Sequence, residues 1–473
     1  MKRTVIVLAA MTIAFALLPS TAAAFDSGST GADGDFNPQQ NTEVVLPPNG
    51  ILNYRSVNIP LGVTVTFKRN ATNTPVTLLV GGDAVITGTI NLNGQSAPAT
   101  GDDNPLDDGL PGKGGPGGFD GGFGGLTAGT GHGSNGLGPG GGGGAEPTSN
   151  LDGPLYGSGG GAGHATTGHN GLTRTGAAGW GAGGPAYGSD LLLPLIGGSG
   201  GGGGSGGGWQ CGGGGGGGGA LLIAATGTVT VSGSITAGGG NPGPAKTPGG
   251  AGSGGAIRVV ATTITDRGII SADGGTIPHS GPGMGSQGRI RLEAENLVGI
   301  GTTSPTFTFG LPGSLFVTGQ PALRFATVAG IPVPASPTGF GDVTIPTTTA
   351  NPVTLTLATS GIPIGSTVKV SVIPRYGAPV TVDSPPTAGS PDNATTSVSV
   401  DIPFGNNVLS AQTTYTVVAA TGDALSRFAQ GERVEKVTLT STFGQGNKTT
   451  LHTVTGKRFD VDPALLALAA ISQ

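Results

Sequence analysis

The chain has 473 residues, a formal net charge of −5 and only 10% charged residues. Because neither sign of charge dominates, nucleic acids and anionic membranes are poor partners for it. Aromatic residues make up 5% of the chain, which limits both a large compact core and flat platforms for stacking sugars. The length predicts about two to three domains.

The N-terminus has the form of a secretory signal peptide. A basic start, Met1-Lys2-Arg3, precedes an apolar stretch from Val5 to Leu18, and the small residues from Thr21 to Ala24 supply a cleavage site. We therefore expect a secreted protein, extracellular or at the cell surface, whose mature chain begins near Phe25. No later segment has the ~18 consecutive apolar residues of a membrane span, so none is expected.

Short strand patterns follow a polar stretch that reads as irregular up to about Pro48. Apolar and polar residues alternate over 63–67, the period of a half-buried strand. Three further strands are predicted at 76–80, 84–87 and 89–92, separated by glycines.

This three-strand unit recurs along the chain. Residues 75–92 align without a gap with residues 220–237, a third copy occupies 257–272, and a fourth begins at Arg289. Stacked, the copies form three apolar columns: Val76, Leu221, Ile257 and Ile290; Leu78, Ile223, Val259 and Leu292; and Ile90, Ile235 and Ile270. Aliphatic columns of this kind predict a parallel β-solenoid. Four positions between the first two columns are predicted to face outward: Thr77, Leu222, Arg258 and Arg291.

A glycine-rich insertion separates the first two copies. Residues 95–219 contain 53 glycines, and the shorter loops 241–255 and 276–288 leave the coil at the same corner. One hypothesis is a flexible linker. The other is that extended glycine chains lie side by side in a polyproline-II-like conformation and bond through their backbones. Apolar anchors favour at least partial order: Phe119, Phe123, Trp180, Tyr187, Trp209 and the run 191–196.

The C-terminal part changes character from about Pro321. Alternating segments at 353–357, 367–372, 397–400, 414–418 and 434–440 predict a β-sandwich of about seven strands, immunoglobulin- or fibronectin-like. A short helix is predicted at 464–471. The predicted fold is thus all-β, with a signal peptide at 1–24, first coils at 25–94, an insertion at 95–219, further coils at 220–320 and a sandwich at 321–473.

Two stretches of sequence carry a resemblance to a known group. The start of the mature chain, Phe25-Asp26-Ser27-Gly28-Ser29-Thr30-Gly31-Ala32-Asp33-Gly34, and the coil Gly254-Gly255-Ala256-Ile257-Arg258-Val259-Val260-Ala261 resemble those of uncharacterised secreted bacterial glycine-rich proteins with β-helix-like coils. The resemblance covers roughly residues 25–313 and implies a compartment and a fold but no chemistry. In composition alone, the glycine tract is similar to polyglycine-rich domains of adhesins and receptors.

Catalytic and metal-binding patterns are weak throughout. The coil carboxylates Asp83, Asp266, Asp273, Glu293 and Glu295 form no outward pair of the kind a glycosidase needs. The acidic cluster Asp102, Asp103, Asp107 and Asp108 matches no calcium-loop spacing, and His132, His164 and His169 match no zinc spacing. Arg258 and Arg291, with Arg289 nearby, form a basic column that is either a solvated face or a contact for anionic polysaccharide. We therefore predict no catalytic residue, metal or cofactor.

Cys211 is the only cysteine of the chain, so no internal disulfide is possible. It is either a tolerated thiol or the site of an intermolecular bridge.

Three functions fit these patterns. The first is a secreted, non-enzymatic structural or adhesive protein of a bacterial surface or matrix, with polysaccharide, other surface components or its own copies as partners. The second is a carbohydrate-binding or polysaccharide-degrading β-helix protein. The third is an ice-binding protein, against which we count that the outward threonines Thr64, Thr66, Thr77, Thr87 and Thr89 do not form one long repeated row.

Overall fold

The structure is a computed structural model, and all regular elements of the residues that it describes are β-strands, in agreement with the predicted all-β class. It describes residues 25–70, 73–99, 109–125, 131–146, 148–150, 153–155, 157–172, 179–205, 211–245, 247–277, 283–316, 321–334, 342–374, 380–417, 429, 432–442 and 447–461. The predicted signal peptide, the acidic cluster at 102–108, Trp209 and the helix predicted at 464–471 lie outside the described residues.

Seventeen strands precede residue 311 in the described part of the chain. In chain order they are β1 Asp35–Phe36, β2 Thr42–Val45, β3 Ile51–Tyr54, β4 Ser56–Ile59, β5 Thr64–Lys68, β6 Val76–Val80, β7 Ala84–Ile86, β8 Thr89–Asn91, β9 Thr148–Asn150, β10 Gly153–Leu155, β11 Ala220–Val231, β12 Ser234–Thr236, β13 Ala256–Asp266, β14 Ile269–Ser271, β15 Arg289–Val298, β16 Thr302–Ser304 and β17 Thr308–Gly310. All of them except the β9–β10 hairpin belong to two parallel sheets.

These two sheets are the sides of a parallel β-solenoid. Sheet A contains the path β1-β4-β7-β11-β13-β15-β17, with β6 beside β11 and β3 beside β6. Sheet B has the order β16-β14-β12-β8-β5-β2. The predicted columns are confirmed: Leu221 is in register with Val76 and Ile257, and Ile235 with Ile90 and Ile270.

Sheet A has two halves that meet at a bend. The pairing of β11 with β13 shifts register between Ala225 and Thr228 of β11. The first half of the sheet, before this shift, consists of β3, β6 and residues 220–225, 256–261 and 289–294. The second half consists of β1, β4, β7 and residues 228–231, 263–266 and 296–298. The three sides enclose one aliphatic core, with Ile59, Ile86, Ile90, Ile257 and Ile270 fully buried. The stretch before Pro48, predicted to be irregular, contains β1 and β2, which stack on β4 and β5 as the first coil.

The outer face of the first half is buried, contrary to our prediction. Leu222 and Arg258 are 2% and 1% exposed, and Thr77 is also buried. Phe25, Leu195 and Leu315, three residues remote from each other in sequence, pack onto this face over an apolar cluster that includes Leu79, Ala224 and Val260. Alternation along a strand shows which side chains leave the core, but not what covers them.

An N-terminal strap, residues 25–34, crosses several coils at the bend of sheet A. The amide of Phe25 donates to Glu295 Oε1 at 3.1 Å, and Ser27 Oγ donates to the carbonyl of Val80 at 2.8 Å. Ser29 Oγ then donates to the carbonyl of Tyr54 at 2.8 Å. The strap therefore joins the coils of β15, β6 and β3 before the chain enters β1.

The C-terminal part is a β-sandwich of two antiparallel sheets. Its strands are β18 Ala322–Val328, β19 Ile331–Pro332, β20 Val353–Ser360, β21 Lys369–Pro374, β22 Val380–Asp383, β23 Ala388–Ser390, β24 Asn393–Val400, β25 Asn407–Val417, β26 Val434–Thr442, β27 Lys448–Thr453 and β28 Arg458–Val461. The sheet orders are β19-β18-β20-β24-β23 and β22-β21-β25-β26-β27-β28. Leu355 and Leu357 of one sheet share a core with Val370 and Val372 of the other. The described strands number eleven rather than about seven, because short edge strands carry little sequence pattern.

Candidate functional site

The glycine-rich array is the most distinctive surface of the solenoid. We use this name for the described residues of 95–219 together with those of 238–255 and 273–288. The array continues the coils, because the amides of Leu92 and Ala237, just beyond β8 and β12, donate to the carbonyls of Thr236 and Ser271 at 2.8 Å. All three segments leave sheet B and return to sheet A, so the described part of the insertion is built at one corner of the solenoid.

The run 197–205 shows how the array is built. Its amides donate to the carbonyls of three neighbouring runs. Gly198, Gly201 and Gly204 donate to the run 212–218, and Gly200 and Gly203 donate to the run 134–137. Gly202 and Ser205 donate to the run 157–160. Its carbonyls accept from three others: 119–125, 142–145 and 250–253. Six runs therefore surround this one, and each is held through backbone groups.

The contacts repeat every third residue, which is the period of a polyproline-II helix. Such a helix has no internal hydrogen bonds, so its amides and carbonyls are free to bond to neighbours in every direction. The described part of residues 95–219 thus matches the ordered hypothesis and not the flexible linker.

Glycine is required because a neighbouring backbone lies where a side chain would start. A Cβ atom on Gly203 would lie 1.8 Å from the carbonyl oxygen of Phe123, and one on Gly250 would lie 1.8 Å from that of Gly160. Polyglycine in this array is therefore a packing requirement.

A stacked pair, His164 and Tyr187, lies inside the array. The ring centroids are 4.5 Å apart with an interplanar angle of 15°, and His164 Nδ1 lies 2.7 Å from the carbonyl oxygen of Gly254. The Tyr187 hydroxyl donates to the carbonyl of Gly197. Arg289, at the start of β15, donates to the carbonyls of Ala165 and Tyr187 at 3.4 Å and pairs with Asp190. This cluster ties the array to sheet A.

The buried imidazole makes the stability of the array pH-dependent. Burial lowers the pKa of His164 from 6.5 to about 4, the hydrogen bond to Gly254 opposes that shift, and the charge of Arg289 adds to it. Between pH 6.5 and pH 4 the unfolded chain binds a proton that the folded chain does not, so stability falls as the pH falls and loses nothing more below pH 4. The expected loss from this group is about 3 kcal/mol.

Comparison of urea unfolding at pH 7 and pH 4.5 for the wild type and His164→Gln checks this expectation. At pH 4.5 most of the stability that the neutral His164 contributes is already lost, whereas the other groups titrate equally in both proteins. The free energy of unfolding should therefore fall less between the two pH values in the variant than in the wild type. Equal losses would contradict a neutral, buried His164.

A second ion pair anchors the array near its first turn. Arg69, after β5, pairs with the buried carboxylate of Asp120, which also accepts the amide of Gly114 at 2.8 Å. Asn73 accepts the amide of Gly117 at 3.1 Å and donates to the carbonyl of Gly118 at 2.9 Å. Side chains from the coil therefore fix the position of residues 114–120.

The predicted basic column is an internal ion-pair cluster. Arg258 donates to Glu293 through Nε and a terminal nitrogen at 3.0 and 2.9 Å, and Arg291 Nε donates to the same carboxylate at 2.6 Å. Arg258 also bonds the carbonyls of Ser314 and Leu315, which cover it. Arg258 is therefore not on a solvated face and does not form an exposed contact for an anionic polymer.

Burial alone would raise the pKa of Glu293. The hydrogen bonds and charge of Arg258, with further bonds from Arg291 and the Gly313 amide, outweigh burial and hold this pKa below its ordinary value.

The other coil carboxylates serve separate structural contacts. Asp83 accepts the amide of Thr228 at 2.7 Å, Asp273 accepts hydroxyls of Ser271 and Ser304, and Glu295 accepts the amide of Phe25. Asp266 is buried and accepts the amide of Gly268 at 3.1 Å; burial raises its pKa, and bonds from the Gly268 and Gly301 amides oppose the rise. These contacts explain why Asp83, Asp266 and Asp273 stand at the ends of strands, whereas Glu295 lies within β15.

The remaining candidates are dispersed. His132 and His169 are exposed, away from the buried His164, and within the described ranges no three His, Cys, Asp or Glu side chains are grouped to hold a metal ion. Cys211 is fully buried, and its backbone forms an isolated parallel β-bridge with Thr247. The thiol is therefore not accessible to an intermolecular disulfide in this fold. Of the predicted apolar anchors, Leu192 is buried and Trp180 is 39% exposed.

No family model, no curated protein and no solved structure matches this chain. Among the described residues there is no helix long and apolar enough to cross a membrane.

Proposed function

We propose that the chain is a secreted, non-enzymatic structural or adhesive protein of a bacterial surface or extracellular matrix. The solenoid is its shaft, the glycine-rich array is its contact surface, and the C-terminal sandwich is a docking module. One observation carries the proposal: the run 197–205 is enclosed by six others through backbone hydrogen bonds.

This packing supports a presentation role for a physical reason. Ordering glycine costs more conformational entropy than ordering any other residue, so a long glycine tract is an expensive way to build a core. What the array provides is many closely spaced chain reversals on a rigid support. Loops held on a rigid scaffold are a common arrangement for binding surfaces. The ion pairs of Arg69 with Asp120 and of Arg289 with Asp190 keep that support attached to the coils.

A binding assay on purified mature protein tests the proposal. We expect labelled protein to bind bacterial cells or their insoluble matrix, and to release neither reducing ends nor unsaturated sugars from a panel of polysaccharides. Gly203→Ala, which disturbs the array, should reduce binding. Gly81→Ala, whose Cβ has no heavy atom closer than 3.9 Å, should not. Sugar release by the wild type, or equal binding by both variants, would overturn the adhesive role of the array.

A further inference from the structure

The outer face of sheet B has a regular chemistry that the array does not share. Five in-register strands, β5, β8, β12, β14 and β16, present two outward residues each on either side of a core position. The first row is Thr64, Thr89, Ser234, Ile269 and Thr302, and the second is Thr66, Asn91, Thr236, Ser271 and Ser304. Eight of these ten residues carry a hydroxyl group, and none carries a charge.

The five threonines that we counted against ice binding form no single row in the structure either, but two of them belong to a row that also contains serine. Thr64 and Thr89, 25 positions apart, lie side by side in one row, and Thr66 begins the other. Thr77 is buried elsewhere, and Thr87 donates to the carbonyl of Ile59. The row is hidden in the sequence because the insertion separates its second and third members and because serine replaces threonine.

The geometry defines a two-dimensional lattice. Neighbouring strands are about 4.8 Å apart and alternate residues of one strand are about 6.6 Å apart, so the hydroxyl groups repeat in both directions. The lattice is stiff, because each row rests on a backbone ladder and Thr89 Oγ1 lies 3.0 Å from Ser234 Oγ. Glu43 of β2 continues the second row beside Thr66, and Lys68, Arg267 and Asp273 stand at the margins of the lattice; Asp273 accepts hydrogen bonds from Ser271 and Ser304.

We propose that the outer face of sheet B binds ice. Three features of the two rows match an ice surface in charge and in spacing. The ten residues of the two rows are uncharged, they offer hydroxyl groups and threonine methyl groups at two repeats close to those of the oxygen lattice of ice, and none of them has an aromatic side chain on which a sugar ring could stack. The glycine-rich segments leave sheet B just beyond the second row; Ile269 and Thr302 of the first row are exposed, and the other eight residues of the two rows are partly exposed.

Ice recrystallisation and thermal hysteresis of the purified mature protein test the proposal. The wild type is expected to inhibit recrystallisation and to shape single ice crystals. Thr89→Tyr and Thr236→Tyr place bulk on the two rows and should raise the inhibitory concentration about tenfold or more, the effect of losing one decade of affinity. Thr230→Tyr and Thr265→Tyr are matched controls, since both threonines are equally half-exposed on the second half of sheet A. They should behave as the wild type.

Three outcomes would overturn this assignment. They are a wild type with no effect on ice, equal losses in the two pairs of variants, and selective binding of insoluble neutral polysaccharide that Thr89→Tyr abolishes. Circular dichroism of all four variants confirms that each folds. Because Gly203 belongs to the array and the tyrosine substitutions belong to the two rows, the adhesive proposal and the ice proposal are tested by separate variants.

Discussion

Replacing Gly203 by alanine is expected to destabilise the array by about 3 kcal/mol or more, at the upper end of the cost of overpacking a core. The Cβ atom would lie 1.8 Å from the carbonyl oxygen of Phe123 and 2.8 Å from the amide nitrogen of Gly124. Both contacts are backbone, so no rotamer change relieves them. The run 197–205 would have to move, and with it the hydrogen bonds to its neighbours.

Limited proteolysis and thermal unfolding measure this effect. Cleavage within the run 197–205 should become rapid in Gly203→Ala and stay slow in Gly81→Ala, where the added methyl carbon meets no heavy atom closer than 3.9 Å. A Gly203→Ala protein as resistant as the wild type would mean that the runs are not packed as described.

Removal of the Glu293 carboxylate is the second large effect expected. In Glu293→Ala the free energy of unfolding should fall by about 3–5 kcal/mol, because a buried charge loses its partner. The side chains of Arg258 and Glu293 are 2% and 3% exposed, so water cannot replace the lost contact. Arg291 loses the same carboxylate, which adds to the cost.

An exposed ion pair provides the control. The side chains of Arg55 and Asp35 are 67% and 56% exposed, so Asp35→Ala should cost only about 0–1 kcal/mol. Urea unfolding of both variants gives the comparison. Since the pKa of Glu293 is lowered in the folded state, its contribution is present above the ordinary carboxyl pKa and is lost as the pH falls through the folded value. Similar losses in the two variants would contradict a buried cluster.

The sequence predicted the solenoid well because its information is local and repeated. A gapless offset of 145 residues places Leu221 on Val76 and Ile235 on Ile90, and the structure confirms both pairs. The inward positions followed from two-residue alternation. The same offset of 145 residues pairs Thr89 with Ser234, so it could have predicted the hydroxyl rows. A search for threonine alone misses these rows, because serine occupies some of their positions.

The parts that escaped prediction depend on partners far apart in sequence. Arg258 was expected in solvent because nothing in its own strand shows that Ser314 and Leu315 cover it. In the array, glycine has no side chain to distinguish one neighbour from another, so composition could suggest parallel runs but not which runs meet. His164 likewise carried no sign that Tyr187, 23 residues later, would stack on it.

The threefold period of the array also governs how the chain tolerates insertions and deletions. In a β-strand, two residues restore the original facing. In the run 197–205, three residues restore it, because Gly198, Gly201 and Gly204 all bond to the run 212–218. Adding three residues to such a run shifts it along its neighbours, and each amide still donates to the same neighbouring run. Adding one residue rotates the amides that follow it by a third of a turn, so that each amide points toward a different neighbouring run.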